Sequence, residues 1–201
     1  MTKRDDNDLL KNGYPTHVGK KTITYKTPFM HVYHCKANFG AATKDYFVIK
    51  FKPRAGVVVV QDESVLLVSQ YRYLLEANSW EIPGGSIEPN ESPEKGLARE
   101  CIEETGIHPL NLSLLITYYP GLDNVDNCTQ VYHTNKFEVQ TQFIANPLEI
   151  NALAWVPLHK ALAMIRQGKI LDAMTISGLL AYDSMINKVL SPSVKSNDKT
   201  R

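Results

Sequence analysis

Apolar positions change their spacing along this chain, and each change predicts a change of element. Between Lys21 and Lys52, the segments TITYKTPFMHVYHCKANFG and DYFVIKFK are rich in β-branched and aromatic residues. Pro28 and Asn38-Phe39-Gly40 interrupt them, which predicts about three antiparallel strands. Arg54-Ala55-Gly56 then leads into VVVV, Gln61-Asp62-Glu63 and SVLLVSQYRY. This is a strand, turn, strand pattern whose nearly all-apolar first strand belongs in the middle of a sheet. Further on, LSLLITYY, QVYHTNKFEV and Ala152–Val156 read as strands, the last closed by Pro157. Helical spacing takes over in HKALAMIRQG, with Leu162 and Ile165 on one side and a stop at Gly168. It returns in DAMTISGLLAYDSMINKVL, which Asp172 caps and where Ile176, Leu179, Leu180 and Ile186 repeat as core cover.

Between the two groups of strands lies a different stretch, Gly85 to Ile107, GSIEPNESPEKGLARECIEETGI. Ser92 is a good N-cap, Pro93 occupies the first helical position, Glu94 complements the dipole and Gly106 supplies the stop. Leu97, Cys101 and Ile102 give the apolar stripe that holds this helix on a core. Glu100, Glu103 and Glu104, spaced three and four apart, share the side left over. Unbalanced like charge on one face asks for something positive. One answer is a solvated face with a charge-paired Arg99, and the other is a hard cation such as Mg²⁺ or Mn²⁺, which favours carboxylate and phosphate oxygens.

The order of strands, one central helix, strands and terminal helices predicts an α+β fold with helices against a mixed sheet. Residues 1–20 are polar and expected to be a flexible N-terminus, 21–52 a small N-terminal antiparallel β-sheet, 53–190 the main domain and 191–201 a disordered tail. A sheet of three strands buries too little surface to stand alone, so it should pack on the following domain or on a second subunit. Strand alternation puts His31 and Cys35 on one face and His34 on the other, which argues against a metal site there.

Composition narrows the function without naming it. With 43% hydrophobic and 21% charged residues and a net charge of +1, the chain is that of a globular protein. It has no bulk electrostatic reason to bind nucleic acid or an anionic membrane. The three cysteines, Cys35, Cys101 and Cys128, show no knuckle or redox spacing and read as reduced thiols. No apolar run suits a signal peptide or a membrane span, so a cytoplasmic location is expected.

Several residues outside the helix add chemistry. Arg72, at the end of its strand, suits a phosphate clamp because a guanidinium fork matches phosphate oxygens. Gly84 and Gly85, in NSWEIPGG, let the backbone approach a ligand, so the Gly84 carbonyl can join the carboxylates around a metal. Glu81 is read as an ion-pair partner that orients Arg99. In the loop PGLDNVDNCT, Asp123 and Asp126 either form turns or supply a water-activating base. No Ser–His or Cys–His arrangement suggests a covalent route.

The segment from Gly85 to Ile107 resembles the Nudix box. Gly85, Glu91, Arg99, Glu100, Glu103, Glu104, Gly106 and Ile107 fall at its positions, and Cys101 stands where the family usually has an aliphatic residue. The resemblance implies a Nudix-type α/β/α sandwich that hydrolyses a nucleoside diphosphate linked to another moiety with Mg²⁺ or Mn²⁺. By position it makes Glu100 and Glu104 metal ligands, with Glu103 sharing the site or acting on water and the Gly84 carbonyl completing the shell. Glu91 and Arg99 would hold the loop and helix in place.

Over residues 21 to 188 the chain is similar to the ADP-ribose and nucleoside-diphosphate-sugar pyrophosphatase branch, through VSQYRY, WEIPGG, Pro120-Gly121 and GKILDAMTISGLLAY. That branch implies a homodimer exchanging N-terminal strands. It also usually carries a Glu base in the loop after Pro-Gly, whereas LDNVDN offers only Asp123 and Asp126. The expected site thus groups Glu103, Asp123, Asp126 and Arg99 for catalysis, Arg72, Glu81 and Gly85 for substrate, and Gly84, Glu100, Glu103 and Glu104 for metal. A metal-dependent pyrophosphatase of ADP-ribose or a related nucleotide sugar heads the readings. A sanitising nucleoside triphosphate or dinucleotide polyphosphate hydrolase is the alternative, followed by a non-catalytic nucleotide-sugar sensor.

Overall fold

The change in apolar spacing near Pro53 coincides with a change of unit. A computed structural model describes residues 13–40, 42–144, 146 and 149–190, so the expectations for residues 1–12 and for the tail 191–201 lie outside the described residues. Contacts divide the chain into one unit of Met1–Pro53 with Tyr119–Cys128, and another of Arg54–Tyr118 with Thr129–Arg201.

Strands β1 (His17–Val18), β2 (Thr22–Lys26), β3 (Met30–Asn38) and β4 (Thr43–Phe51) open the chain. They are followed by β5 (Arg54–Gln61), β6 (Ser64–Arg72), β7 (Ala77–Glu81), β8 (Gly84–Ser86), helix α1 (Pro93–Thr105), β9 (Ile107–Leu110) and β10 (Ser113–Tyr118). The remainder comprises β11 (Val125–Asp126), β12 (Thr129–Thr134), β13 (Lys136–Val139), β14 (Ala152–Pro157) and helices α2 (Leu158–Arg166) and α3 (Ala173–Leu190).

In the first unit β3 pairs antiparallel with β4 along its whole length, and β1 and β2 share its other edge. Two additions were not expected. His17–Val18 joins the sheet from the segment read as loose, and Val125–Asp126 lies parallel to β4, drawing Tyr119–Cys128 into this unit. Alternation buries Tyr33, Cys35 and Ala37 on one face. On the other, cross-strand partners align Tyr25 with Val32, Val32 with Ile49, and Met30 with Phe51. Tyr25, Phe47 and Phe51 stand exposed there. His34 is hydrogen-bonded to Asp45 at 2.7 Å.

The second unit is built on the β5–β6 hairpin, whose turn residues Asp62 and Glu63 both take the left-handed conformation, with φ 47° and 60°. Its main sheet runs β10-β12-β5-β6-β14, with β12 parallel to β5 and the other neighbours antiparallel. β5 and β6 pair only next to the hairpin and then part, β8 pairing with the start of β5 and β7 with the end of β6. QVYHTNKFEV, expected as one strand, is two. The Thr134 hydroxyl accepts from the Lys136 N–H at 3.0 Å across the bend at Asn135, and β13 then pairs with β9 instead of continuing β12.

The VVVV run alternates between two cores, as a central strand must. Val57 and Val59 pack with Leu97 and Cys101 of α1, while Val58 packs with Ala161 of α2 and Met174 and Leu179 of α3. The result is the expected α/β/α sandwich. Ser92 Oγ accepts from the Lys95 N–H at 3.3 Å, Pro93 begins α1, and Gly106 ends it with φ 69°. Asp172 caps α3 through the Thr175 N–H at 2.8 Å. Leu180, expected in the core, is 50% exposed. Among the described residues no helix is long and apolar enough to cross a membrane.

Candidate active site

The turn between β7 and β8 is pinned at both of its residues, Ile82 and Pro83. Ile82 donates its N–H to Thr175 Oγ1 at 3.0 Å, and the Pro83 carbonyl accepts from the Val57 N–H at 2.9 Å. A Cβ on Gly84 would overlap the Ala55 carbonyl, and one on Gly85 would overlap the Glu100 carboxylate. Gly84 therefore needs glycine for its close approach to the neighbouring strand, while at Gly85 a side chain would have to displace the Glu100 carboxylate from where it lies.

Arg99 is the hub of the carboxylates. Its Nη2 donates to Glu91 Oε1 at 2.8 Å and to the Ser86 carbonyl at 3.2 Å, and its Nη1 to Glu100 Oε1 at 2.9 Å and Glu103 Oε2 at 3.2 Å. Glu91 also accepts from the Glu88 N–H at 2.8 Å. The guanidinium thus ties the loop before α1 to the helix's acidic face, and these carboxylates raise its already high affinity for its proton.

Glu104 is held differently. Its Oε2 accepts the Gly84 N–H at 2.9 Å and its Oε1 accepts Gln70 Nε2 at 2.7 Å. Burial nevertheless pushes its carboxyl up to about 7, and the neighbouring Glu100 charge adds to the rise. Glu100 is also pushed up by burial, against the pull of Arg99. Glu103, two-fifths covered at most, reaches solvent. Among the described residues no three His, Cys, Asp or Glu side chains are gathered at ligating distance, because Arg99 draws Glu100 and Glu103 to itself. The donor set still suits a divalent cation. Two carboxylates that burial makes reluctant to ionise lie beside a glycine turn shaped to let one of them in, and a positive ion would favour their charged forms.

Glu81 does not orient Arg99. It is 2% exposed and forms a two-pronged pair with Arg72, whose Nε donates to Oε1 at 2.7 Å and whose Nη2 donates to Oε2. Alternation puts Arg72 and Glu81 on the same face of the β6–β7 pair, Arg72 opposite Ala77 and Glu81 opposite Val68, and the long Arg72 side chain reaches along that face to the carboxylate, while Arg99 is already filled by Glu91, Glu100 and Glu103. Glu81 raises the Arg72 proton affinity, with Asp172 and Glu104 adding at longer range.

Asp123 and Asp126 belong to the first unit. Asp126 lies 3.4 Å from Lys50 Nζ, and both acids border a hollow of about 230 Å³ with Tyr33, Tyr46 and Tyr119. Arg72, Glu81, Gly84, Gly85, Arg99, Glu100, Glu103 and Glu104 all belong to the second unit.

Two contributors had escaped the sequence reading. Gln70 carries a legible signal, an amide on the α1-facing side of an otherwise apolar strand. Gly96 carries none: the Glu91 carboxylate and Ile87 fill the space its side chain would take, inside a helix where spacing alone marks it as a weak former.

Comparison with known proteins agrees with this geometry. A family profile described as NUDIX domain matches residues 50–174. The CMP-5'-(N-acetyl-N-hydroxy-3-aminopropyl)phosphonate hydrolase of Streptomyces rubellomurinus is 32% identical over 71% of this chain and 69% of its own length. The ADP-ribose pyrophosphatase of Bacillus subtilis is 28% identical over 64% of this chain and 70% of its own. Among solved structures, an ADP compounds hydrolase superposes with a TM-score of 0.70 at 16% identity, covering 87% of this chain and 98% of that one.

Proposed function

This chain belongs to the NUDIX family of hydrolases, and from that premise we propose that it hydrolyses the diphosphate linkage of ADP-ribose or a related nucleoside diphosphate sugar. The products are a nucleoside monophosphate and a sugar phosphate. The observation that carries the reading is the pair Glu100 and Glu104, half-buried on one face of α1 against the Gly84-Gly85 turn. Similarity to the Bacillus subtilis ADP-ribose pyrophosphatase supports the substrate class.

Nudix hydrolases generally use divalent metal ions, and Mg²⁺ or Mn²⁺ suits this oxygen-only donor set. Glu100 and Glu104 would hold the ion with the Gly84 carbonyl and Glu103. Once bound, such an ion supplies charge neutralisation on the diphosphate and a more acidic water. The remaining work falls to the chain itself. Arg99 and Glu91 keep the acidic helix face registered on the loop, and the Gly84 N–H fixes the Glu104 carboxylate. Glu81 engages Arg72 through Nε and Nη2, so the Nη1 edge is left to a phosphate oxygen. Gly85 keeps the turn open to substrate. The proton of the attacking water goes to Glu103, and Glu103→Gln should then slow turnover sharply.

The exposed aromatic face of the first unit, with Tyr25, Phe47 and Phe51, supports a homodimer that buries it. The N-terminal sheet is thus the proposed dimerisation element.

A panel of ADP-ribose, ADP-glucose, GDP-mannose, UDP-glucose, a CMP-linked phosphonate, diadenosine polyphosphates and nucleoside triphosphates, each with Mg²⁺ and with Mn²⁺, tests the proposal. Turnover of a diphosphosugar that Glu100→Gln and Glu104→Gln both abolish is the expected result. No turnover of any diphosphosugar refutes it.

A further inference from the structure

Strand β6 is apolar up to its last residues, and its polar end follows the same alternation as its core. Leu66 faces the core that contains Leu97 and Cys101 of α1. Gln70, four residues on, points the same way and is 8% exposed. A buried amide at that place needs a partner. It finds one in Glu104 Oε1, 2.7 Å from its Nε2.

We propose that Gln70 is a positioning residue that fixes the Glu104 carboxylate for a divalent cation. The inference rests on the reading of Glu104 as a ligand. The two oxygens of Glu104 are divided between two donors on two strands, Gln70 of β6 on Oε1 and the Gly84 N–H of β8 on Oε2 at 2.9 Å. Each oxygen has about two lone-pair sites, so one bond apiece locks the plane of the carboxylate and leaves the other sites for the ion. β6 and β8 are not paired with each other, since β6 pairs with β7 and β8 with β5. The carboxylate is therefore clamped across the place where the β5–β6 hairpin parts. Gly84 contributes main chain, and Gln70 is the side-chain half of the clamp. Without it, Glu104 keeps a single anchor and can pivot about Oε2.

The test uses the full-length protein and Mn²⁺ alone, without substrate, and measures free Mn²⁺ by electron paramagnetic resonance. Gln70→Met keeps the unbranched shape and removes the donor, and Gln70→Asn keeps an amide one methylene too short to reach. Both should bind Mn²⁺ about 10- to 100-fold more weakly, the range for loss of an outer partner of a ligating carboxylate. Turnover should largely recover when Mn²⁺ is raised to saturation. A role confined to packing would lower the melting temperature and leave the Mn²⁺ affinity unmoved. Wild-type Mn²⁺ affinity in either folded variant, while Glu104→Gln binds Mn²⁺ more weakly, overturns the inference and leaves the ligand reading of Glu104 standing. Wild-type Mn²⁺ affinity in Glu104→Gln removes both.

Discussion

Glu104 gives the account a signature that can be measured without any substrate. Its carboxyl has an ordinary value of 4.5 and is pushed up to about 7 in the folded protein, chiefly by burial. The sign follows from which state ionises first. Below pH 4.5 the group is protonated in both states and contributes nothing to the balance. As pH rises through the window, the unfolded chain ionises while the folded state lags, so metal-free stability falls. Above about pH 7 the loss is complete and amounts to about 3 kcal/mol, taking 1.36 kcal/mol per pH unit. Glu104→Gln removes this dependence. The new amide also turns a donor toward Gly84 or Gln70 and forfeits about 1 kcal/mol of hydrogen bonding, but that offset is the same at every pH and cancels between pH values.

Thermal melts of wild type and Glu104→Gln in a chelator, from pH 4.5 to 8, read the effect directly. For a protein of this size, about 3 kcal/mol corresponds to about 6–12 °C. The variant should therefore gain about that much relative to wild type on going from pH 4.5 to pH 8. Mn²⁺ at pH 8 should restore the wild type and stabilise the variant much less, because a ligand that binds only the folded state stabilises it by mass action in proportion to its affinity. A difference between the two proteins that does not change with pH refutes the buried-carboxylate reasoning.

Other consequences are local. Gly85→Ala drives a methyl into the Glu100 carboxylate, so turnover should fall at least about 100-fold while the fold persists in circular dichroism, a loss of about 2.7 kcal/mol in transition-state stabilisation. Arg72→Ala leaves Glu81 buried and unpaired, which should lower stability by about 3–5 kcal/mol in denaturant melts. The double change Arg72→Ala/Glu81→Gln should cost clearly less than the two single changes summed. Deleting residues 1–50 strips β11 of the strand that pairs with it, and sedimentation should show a monomer with impaired turnover.

What the sequence made legible was local. Caps and the 3.6-residue spacing of α1 follow from Ser92, Pro93, Gly106, Leu97 and Cys101, and all of these act within a turn or two of chain. The same holds for the VVVV strand, whose alternation between two cores needs only its neighbours to be apolar. Long-range pairing was less legible. Nothing in the spacing of Val125 and Asp126 says that they lie along β4, and β13 looks like a continuation of β12 until Thr134 turns the chain. Ion-pair choice fails for a similar reason. Arg99 and Arg72 each have several acids nearby in sequence, and the register of β6 against β7 sets Arg72 opposite Ala77 and Glu81 opposite Val68, so only the reach of the Arg72 side chain along their shared face joins the two. Gln70 stands out as an amide on the α1-facing side of β6, but its partner Glu104 lies far along the chain and only the packing of α1 on that strand brings the two together.

The central claim, cleavage of a nucleoside diphosphate sugar at its diphosphate, is most directly tested by phosphorus nuclear magnetic resonance of ADP-ribose incubated with the protein and Mg²⁺ or Mn²⁺, the metal ion being removed on a chelating resin before the spectrum is taken. The paired diphosphate resonances should give way to two phosphomonoester signals, those of AMP and ribose 5-phosphate, and should persist with Glu100→Gln or Glu104→Gln. Diphosphate signals that survive with the wild-type protein and either ion contradict the account for this substrate.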